Sequence, residues 1–120
     1  MSSGHLLFVD DEMELLELYR TAFAREGYEV STAATLDEAR SALHSENIDV
    51  VILDIRMTEG SGLHLLRELK VSHPELPVIL NTAFARYQDE FTAWLANAYV
   101  VKSSDLTPLR QVVRQCLEEA

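Results

Sequence analysis

The sequence predicts an α/β fold in which a parallel sheet is covered by helices on both faces. The run Val50-Val51-Ile52-Leu53 is wholly apolar and three of its four residues are β-branched, as in a strand buried on both faces. It ends at a carboxylate, Asp54. Runs of this kind alternate five times with segments of helical periodicity, joined by short connections. That alternation is typical of doubly wound parallel sheets.

Size and composition favour one domain covering residues 1–120. The net charge of −10 argues against direct nucleic-acid binding, which needs clustered Lys and Arg. A single cysteine, Cys116, excludes an intrachain disulfide and falls on the apolar side of a predicted helix. No apolar run has the length of a membrane span or of a signal-peptide core. We therefore expect a cytoplasmic protein without a membrane partner.

The first half of the chain provides two strands and two helices. A buried strand is predicted at residues 5–9, and apolar residues at helical spacing follow as far as Gly27, a stop signal. Residues 28–33 alternate and are more polar, which favours the edge of a sheet. Thr35 and Glu38 have the spacing of a capping box, so a short second helix begins there.

The second half continues the alternation. The loop at residues 55–62 contains Gly60 and Gly62, which permit unusual backbone angles, and a third helix ends before Pro74. Residues 86–95 are predicted to be helical on weak periodicity, and Asp105 can cap a last helix. The other predicted features are strands at 77–80 and 98–101 and an inward face of the last helix formed by Leu106, Leu109, Val113, Cys116 and Leu117.

Polar residues follow four of the predicted strands: Asp10 and Asp11, then Asp54, Thr82 and Lys102. In a parallel sheet these strand ends share one edge. Neighbouring carboxylates repel, and a divalent cation relieves the repulsion; an all-oxygen ligand set favours Mg²⁺. A lysine and a hydroxyl beside such a site suit phosphate oxygens, and one carboxylate acting as nucleophile could form an aspartyl phosphate.

With these residues the whole chain resembles the response-regulator receiver domain of two-component signal transduction, close to the chemotaxis regulators. The family implies a flavodoxin-like sheet with strand order 2-1-3-4-5. The residues that carry the resemblance are Asp10-Asp11, Asp54, the loop from Asp54 to Gly62, Thr82, Lys102, and Tyr99, three positions before the lysine.

The resemblance implies a metal site and a phosphoacceptor. Asp54 would accept a phosphoryl group from the phosphohistidine of a histidine kinase or phosphotransfer protein. Asp11 would bind Mg²⁺ or Mn²⁺ directly together with Asp54, Asp10 would act mostly through water, and the main-chain carbonyl of Arg56 would add a ligand.

The resemblance also implies a switch. Thr82 and Lys102 would contact the phosphoryl group, Thr82 would move toward it, and Tyr99 would rotate inward. The surface formed by the fourth helix, fifth strand and fifth helix would then change for an output partner or a homodimer. The chain would be a regulator with at most slow autodephosphorylation, either alone or as a piece of a longer protein.

Three residues depart from the family pattern. Ser103 follows Lys102 where the family usually has a proline in a cis peptide, so we predict that the Lys102–Ser103 bond is trans or visibly strained. Thr58 replaces a common proline, which predicts a less rigid loop, and Leu95 replaces a common glycine.

Other interpretations stay open at this point. A phosphatase of the haloacid dehalogenase type also uses an aspartate nucleophile and Mg²⁺, but position 56, where it would want a second aspartate, is Arg56. A receiver-like interaction module that is never phosphorylated is a further alternative. The presence of the acids, Thr82 and Lys102 argues against it, but the departures at Ser103 and Leu95 keep it open. Individually, Asp10 and Asp11 could be helix caps, and Tyr99 an ordinary half-buried strand residue.

Overall fold

The computed structural model describes residues 3–58, 60–83 and 95–118. Residues 86–94 of the weakly predicted helix therefore lie outside the described residues. The helices are α1 (Met13–Ala24), α2 (Leu36–Ser45), α3 (Gly62–Ser72) and α4 (Thr107–Glu118). The strands are β1 (His5–Val9), β2 (Glu29–Ala33), β3 (Val50–Leu53), β4 (Arg56–Met57), β5 (Gly60–Ser61), β6 (Val78–Thr82) and β7 (Ala98–Val101).

The main sheet has five parallel strands in the order β2-β1-β3-β6-β7. Counting only these strands, the order is 2-1-3-4-5, so the predicted doubly wound, flavodoxin-like fold is confirmed. The wholly apolar strand β3 lies at the centre, and the more polar β2 lies at an edge, as their sequences predict. All five carboxyl ends lie along one edge of the sheet.

Alternate residues of each strand face opposite sides of the sheet and build two cores. Leu7 and Val9 of β1 pack with apolar residues of α2 and α3. Leu6 and Phe8 pack with α1 and α4, in a core that includes the buried Cys116. None of the helices in the described part of the chain is both long and apolar enough to cross a membrane.

The predicted helix caps are present. The hydroxyl of Thr35 accepts a hydrogen bond from the Glu38 N–H at 3.0 Å, while the Glu38 carboxylate accepts one from the Ala34 N–H at 2.8 Å. Asp105 accepts a hydrogen bond from the Thr107 N–H at 3.0 Å, at the start of α4. Both caps satisfy main-chain donors that have no partner within the helix.

The segment after β3, predicted as a loop, contains two short strands. Its strands β4 and β5 pair antiparallel, Arg56 opposite Ser61 and Met57 opposite Gly60. Gly60, the first residue of β5, has a φ of 148°, one of the unusual backbone angles that glycine permits. Gly62 has no such angle; a Cβ there would lie 2.0 Å from the carbonyl oxygen of Asp54. Gly62 is needed for close approach, not for its backbone angle.

Replacing Gly62 with alanine is expected to destabilise the protein by about 3 kcal/mol, because the methyl group overlaps main-chain atoms that cannot move independently of β3. Urea unfolding followed by circular dichroism measures this. Gly60→Ala is the comparison: it strains the backbone without the overlap and is expected to cost about 1 kcal/mol. Equal losses in the two variants would contradict the close-approach explanation.

Candidate functional site

The ends of the parallel strands bring the predicted polar residues together. Asp10 and Asp54 follow β1 and β3, whose last residues, Val9 and Leu53, are paired. The Asp54 N–H donates to the Val9 carbonyl at 3.0 Å, which keeps the two strand ends level. Thr82 is the last residue of β6 and is fully buried.

Three carboxylates form one cluster at this edge. One oxygen each from Asp10, Asp11 and Asp54 lies within 4.8 Å of the others. Asp10 and Asp54 are only 3% and 6% exposed, whereas Asp11 is partly open to solvent. Buried carboxylates without a cation partner are costly, so this cluster is suited to bind positive charge.

Lys102 supplies positive charge between two of the acids. Its Nζ lies 2.7 Å from Oδ2 of Asp10 and 3.1 Å from Oδ2 of Asp54, and Glu12 is 3.6 Å away. Burial of the ammonium group opposes its charge, but the hydrogen bond to Asp10 and the two nearby carboxylates prevail and raise the pKa of Lys102. Lys102 therefore remains charged at neutral pH.

Asp54 has the environment of a reactive carboxylate. Burial raises its pKa, and the neighbouring charge of Asp10 raises it further. Lys102 and a hydrogen bond with Thr82 oppose these effects without cancelling them. A carboxylate that has lost water and is held by a cation and a hydroxyl is a candidate nucleophile.

Asp11 is held by a residue that the sequence did not identify as part of the site. The N–H of Thr58 donates to Oδ2 of Asp11 at 2.7 Å, and the Thr58 hydroxyl donates to the same oxygen. The prediction that Thr58 makes this loop less rigid did not take these two hydrogen bonds into account. The signal in the sequence was the residue type: a threonine has the N–H that a proline lacks.

The simple helix-cap interpretation of the two neighbouring acids is not supported. The N-cap residue of α1 is Glu12, not Asp10 or Asp11. Asp10 does accept a hydrogen bond from the Glu12 N–H at 2.9 Å, which orients its carboxylate while Oδ2 contacts Lys102. Both oxygens of Asp10 therefore have partners.

Of the remaining predicted site residues, Tyr99 lies on the expected strand, whereas Arg56, predicted in a loop, lies on the short strand β4. The side chain of Arg56 is exposed on β4, and the role of its carbonyl stays a prediction. Tyr99 is partly buried on β7 and packs on the α2–α3 side; its rotation also stays a prediction. The described residues contain no cis peptide bond, so Lys102–Ser103 is trans, one of the two predicted outcomes.

A buried polar pair lies behind the site and was also missed by the sequence interpretation. Nδ2 of Asn81 on β6 donates to the hydroxyl of Tyr19 on α1 at 3.1 Å. The Tyr19 ring stacks on Phe8 with centroids 4.9 Å apart. Burial raises the pKa of Tyr19, so its hydroxyl stays neutral. The pair joins α1 to the strand that ends in Thr82.

Replacing Tyr19 with phenylalanine is expected to lower the free energy of unfolding by about 1–2 kcal/mol, because the buried Asn81 amide then loses the acceptor that the Tyr19 hydroxyl provides. Urea unfolding of both proteins tests this. Tyr28→Phe is the matched control, since Tyr28 is only partly buried and contributes a ring contact with Phe23. An equal change in both variants would show that the buried hydrogen bond does not stabilise the fold.

The fold and the residues at its edge define a class of protein. The sheet is doubly wound, acids follow β1 and β3, a threonine ends β6 and a lysine follows β7. This is the arrangement of a receiver domain. Comparison with known proteins agrees. Residues 6–114 match the response regulator receiver domain family. The chain belongs to this family of two-component signalling proteins.

Individual relatives support the same assignment. The chain is 36% identical over 119 residues to the transcriptional regulatory protein GlrR of Escherichia coli, covering 98% of this chain and 27% of that protein. Response regulator protein TrrA of Thermotoga maritima, crystallised in complex with Mg²⁺-BeF, is similar with a TM-score of 0.91 and 37% identity, covering 94% of this chain and 98% of that one. TrrA in complex with histidine kinase ThkA gives a TM-score of 0.89 at 38% identity, covering 95% and 98%. The chain thus spans about a quarter of the first of these proteins and nearly all of the second.

Proposed function

We propose that this chain is a phospho-accepting signalling domain in which Asp54 takes a phosphoryl group from the phosphohistidine of a histidine kinase. The observation that carries the proposal is the position of Asp54: 6% exposed, next to Asp10, and 3.1 Å from the ammonium group of Lys102. The complex of the similar protein TrrA with a histidine kinase supports the choice of partner.

The reaction is a direct transfer between two side chains. A carboxylate oxygen of Asp54 attacks phosphorus, the phosphorus–nitrogen bond of the phosphohistidine breaks, and the leaving imidazole takes a proton from solvent. Lys102, charged throughout, stabilises the negative charge of the group in transfer, and the Thr82 hydroxyl donates a hydrogen bond to it. The product is an acyl phosphate on Asp54.

The acid cluster fits the divalent cation that this chemistry needs. Asp10, Asp11 and Asp54 offer oxygen ligands within 4.8 Å of one another, the ligand chemistry that Mg²⁺ prefers. Asp11 and Asp54 would hold the ion directly, Asp10 through water, and the Arg56 carbonyl would complete the protein ligands. Bound Mg²⁺ supplies positive charge to the transferring phosphoryl oxygens.

The signal would leave the site through Thr82 and Tyr99. Thr82 and Lys102 are linked by a main-chain hydrogen bond of 2.8 Å, so a shift of Thr82 toward a phosphate acts on the end of β7, the strand that carries Tyr99. A change at this surface biases binding to an output partner, or to a second copy of the chain. We propose that the phosphoacceptor, the metal site and the switch residues belong to one cytoplasmic domain over residues 1–120.

Intact mass spectrometry tests the proposal. We expect the protein to gain one phosphoryl group after incubation with acetyl phosphate and Mg²⁺, and no adduct when EDTA replaces Mg²⁺. Stoichiometric labelling without continued release of phosphate separates an acceptor from a hydrolase. Absence of any adduct, with acetyl phosphate and with a phosphorylated histidine kinase, would contradict the proposal and favour an interaction module.

A further inference from the structure

One of the three acids of the site, Asp11, has a different partner from the other two. Asp10 and Asp54 are buried and contact Lys102. Asp11 is partly exposed, and its Oδ2 accepts both the N–H and the hydroxyl of Thr58. Within the described residues, the Asp11 carboxylate accepts these two hydrogen bonds from Thr58. The most exposed of the three carboxylates is therefore positioned by Thr58.

The same oxygen of Asp11, Oδ2, accepts both hydrogen bonds. A carboxylate oxygen that accepts two donors has little lone-pair density left for a cation. Among the residues that the structure describes, none donates a hydrogen bond to the other oxygen, Oδ1 of Asp11, so that oxygen is the one offered to a cation. The pair of bonds fixes both the direction of the carboxylate and the oxygen that it offers.

We propose that Thr58 is a positioning residue for the divalent cation, holding Asp11 so that Oδ1 is presented to the ion. The inference rests on the proposed function, because that function supplies the ion. Partners that orient a ligating carboxylate typically change metal affinity by about 10–100-fold when they are removed. Thr58 is exposed to water, which competes for the same oxygen, so we expect about 10-fold or more when both hydrogen bonds are lost and a smaller loss when one is lost.

Substitutions at position 58 distinguish the contributions of the two hydrogen bonds. Serine keeps both donors, and valine keeps the N–H but replaces the hydroxyl with a methyl group of the same shape. Proline removes both donors. Because Thr58 is exposed and lies in a turn next to β4, none of these side chains has to be fitted into the core.

Cation affinity itself is the measurement. Mn²⁺ binding is followed by the electron paramagnetic resonance signal of the free ion, and Mg²⁺ affinity by competition, with no phosphoryl donor present. We expect Thr58→Ser to bind within about 2-fold of the wild type, Thr58→Val about 3–10-fold more weakly, and Thr58→Pro at least 10-fold more weakly. Thr107→Val, an exposed threonine at the start of α4, is the matched control and should bind as the wild type does.

The contrary outcomes can be told apart. If Thr58→Val and Thr58→Pro bind Mn²⁺ as tightly as the wild type, or more tightly, the positioning role is wrong while the proposed function stands. If the wild type itself binds no Mn²⁺ or Mg²⁺, both are wrong. If Thr58→Ser loses as much affinity as Thr58→Pro, the hydrogen bonds are not the cause. Melting temperatures of all variants establish that each is folded.

Discussion

Asp54→Asn is expected to accept no phosphoryl group from acetyl phosphate in the presence of Mg²⁺. The amide occupies the same volume as the carboxylate, so the packing around residue 54 is kept. The amide has no negative charge, however, and its nitrogen is a poor nucleophile, so the bond to phosphorus does not form. Lys102 keeps its contact with Asp10 at 2.7 Å, so the site does not lose its organising cation.

Intact mass after a fixed incubation measures the phosphorylated fraction. For Asp54→Asn we expect this fraction to fall to the detection limit. Asp37→Asn is the matched control: the side chain of Asp37 is 87% exposed on α2, away from the site, and this variant should label like the wild type. An adduct on Asp54→Asn of the same size as on the wild type would mean that another residue is the acceptor.

Lys102→Met is expected to slow labelling of Asp54 by about 100-fold or more, the usual cost of removing one fixed charge or donor from a transition state. The same change leaves two carboxylates in a buried position without their cation. We therefore expect the free energy of unfolding to fall by about 3 kcal/mol in EDTA, near the lower limit for breaking a buried ion pair, because Lys102 is 12% exposed. Added Mg²⁺ should restore part of this loss, since binding to the folded state stabilises it.

The other lysine of the chain is the control for both measurements. Lys70 is partly exposed on α3, and within the described part of the chain its Nζ donates a long hydrogen bond of 3.3 Å to Oδ1 of Asn97. Lys70→Met should label at the wild-type rate and unfold within about 0.5 kcal/mol of the wild type. Labelling of Lys102→Met at the wild-type rate would remove Lys102 from the proposed mechanism.

The fold could be predicted because its signals are local. Four apolar residues from Val50 to Leu53 predict a central strand, the polar alternation of β2 predicts an edge strand, and both positions are observed. The capping residues Thr35 and Asp105 act on neighbours three and two residues away, so their role can be seen in the sequence. The carboxyl ends of parallel strands share one edge of the sheet, so the acids, the threonine and the lysine at these ends come together. This convergence could also be predicted from the sequence.

The details of the site could not be predicted, because they depend on distances between segments far apart in the chain. Thr58 contacts an acid 47 positions earlier, and Asn81 contacts a tyrosine 62 positions earlier. Gly62 is required by one main-chain oxygen that only the folded turn brings near. The contact of Lys102 with a phosphoryl group stays a prediction, and its ion pairs with Asp10 and Asp54 depend on segments 48 or more positions apart.

Chemical trapping of the acceptor tests the central claim most directly. An acyl phosphate on an aspartate is reduced by borohydride to homoserine, which marks the modified position for peptide mass spectrometry. After incubation with acetyl phosphate and Mg²⁺, we predict homoserine at position 54 and at no other aspartate, and none when Mg²⁺ is withheld. Homoserine at Asp10 or Asp11, or a phosphoryl group that resists borohydride, would contradict the assignment of Asp54 as the phosphoacceptor.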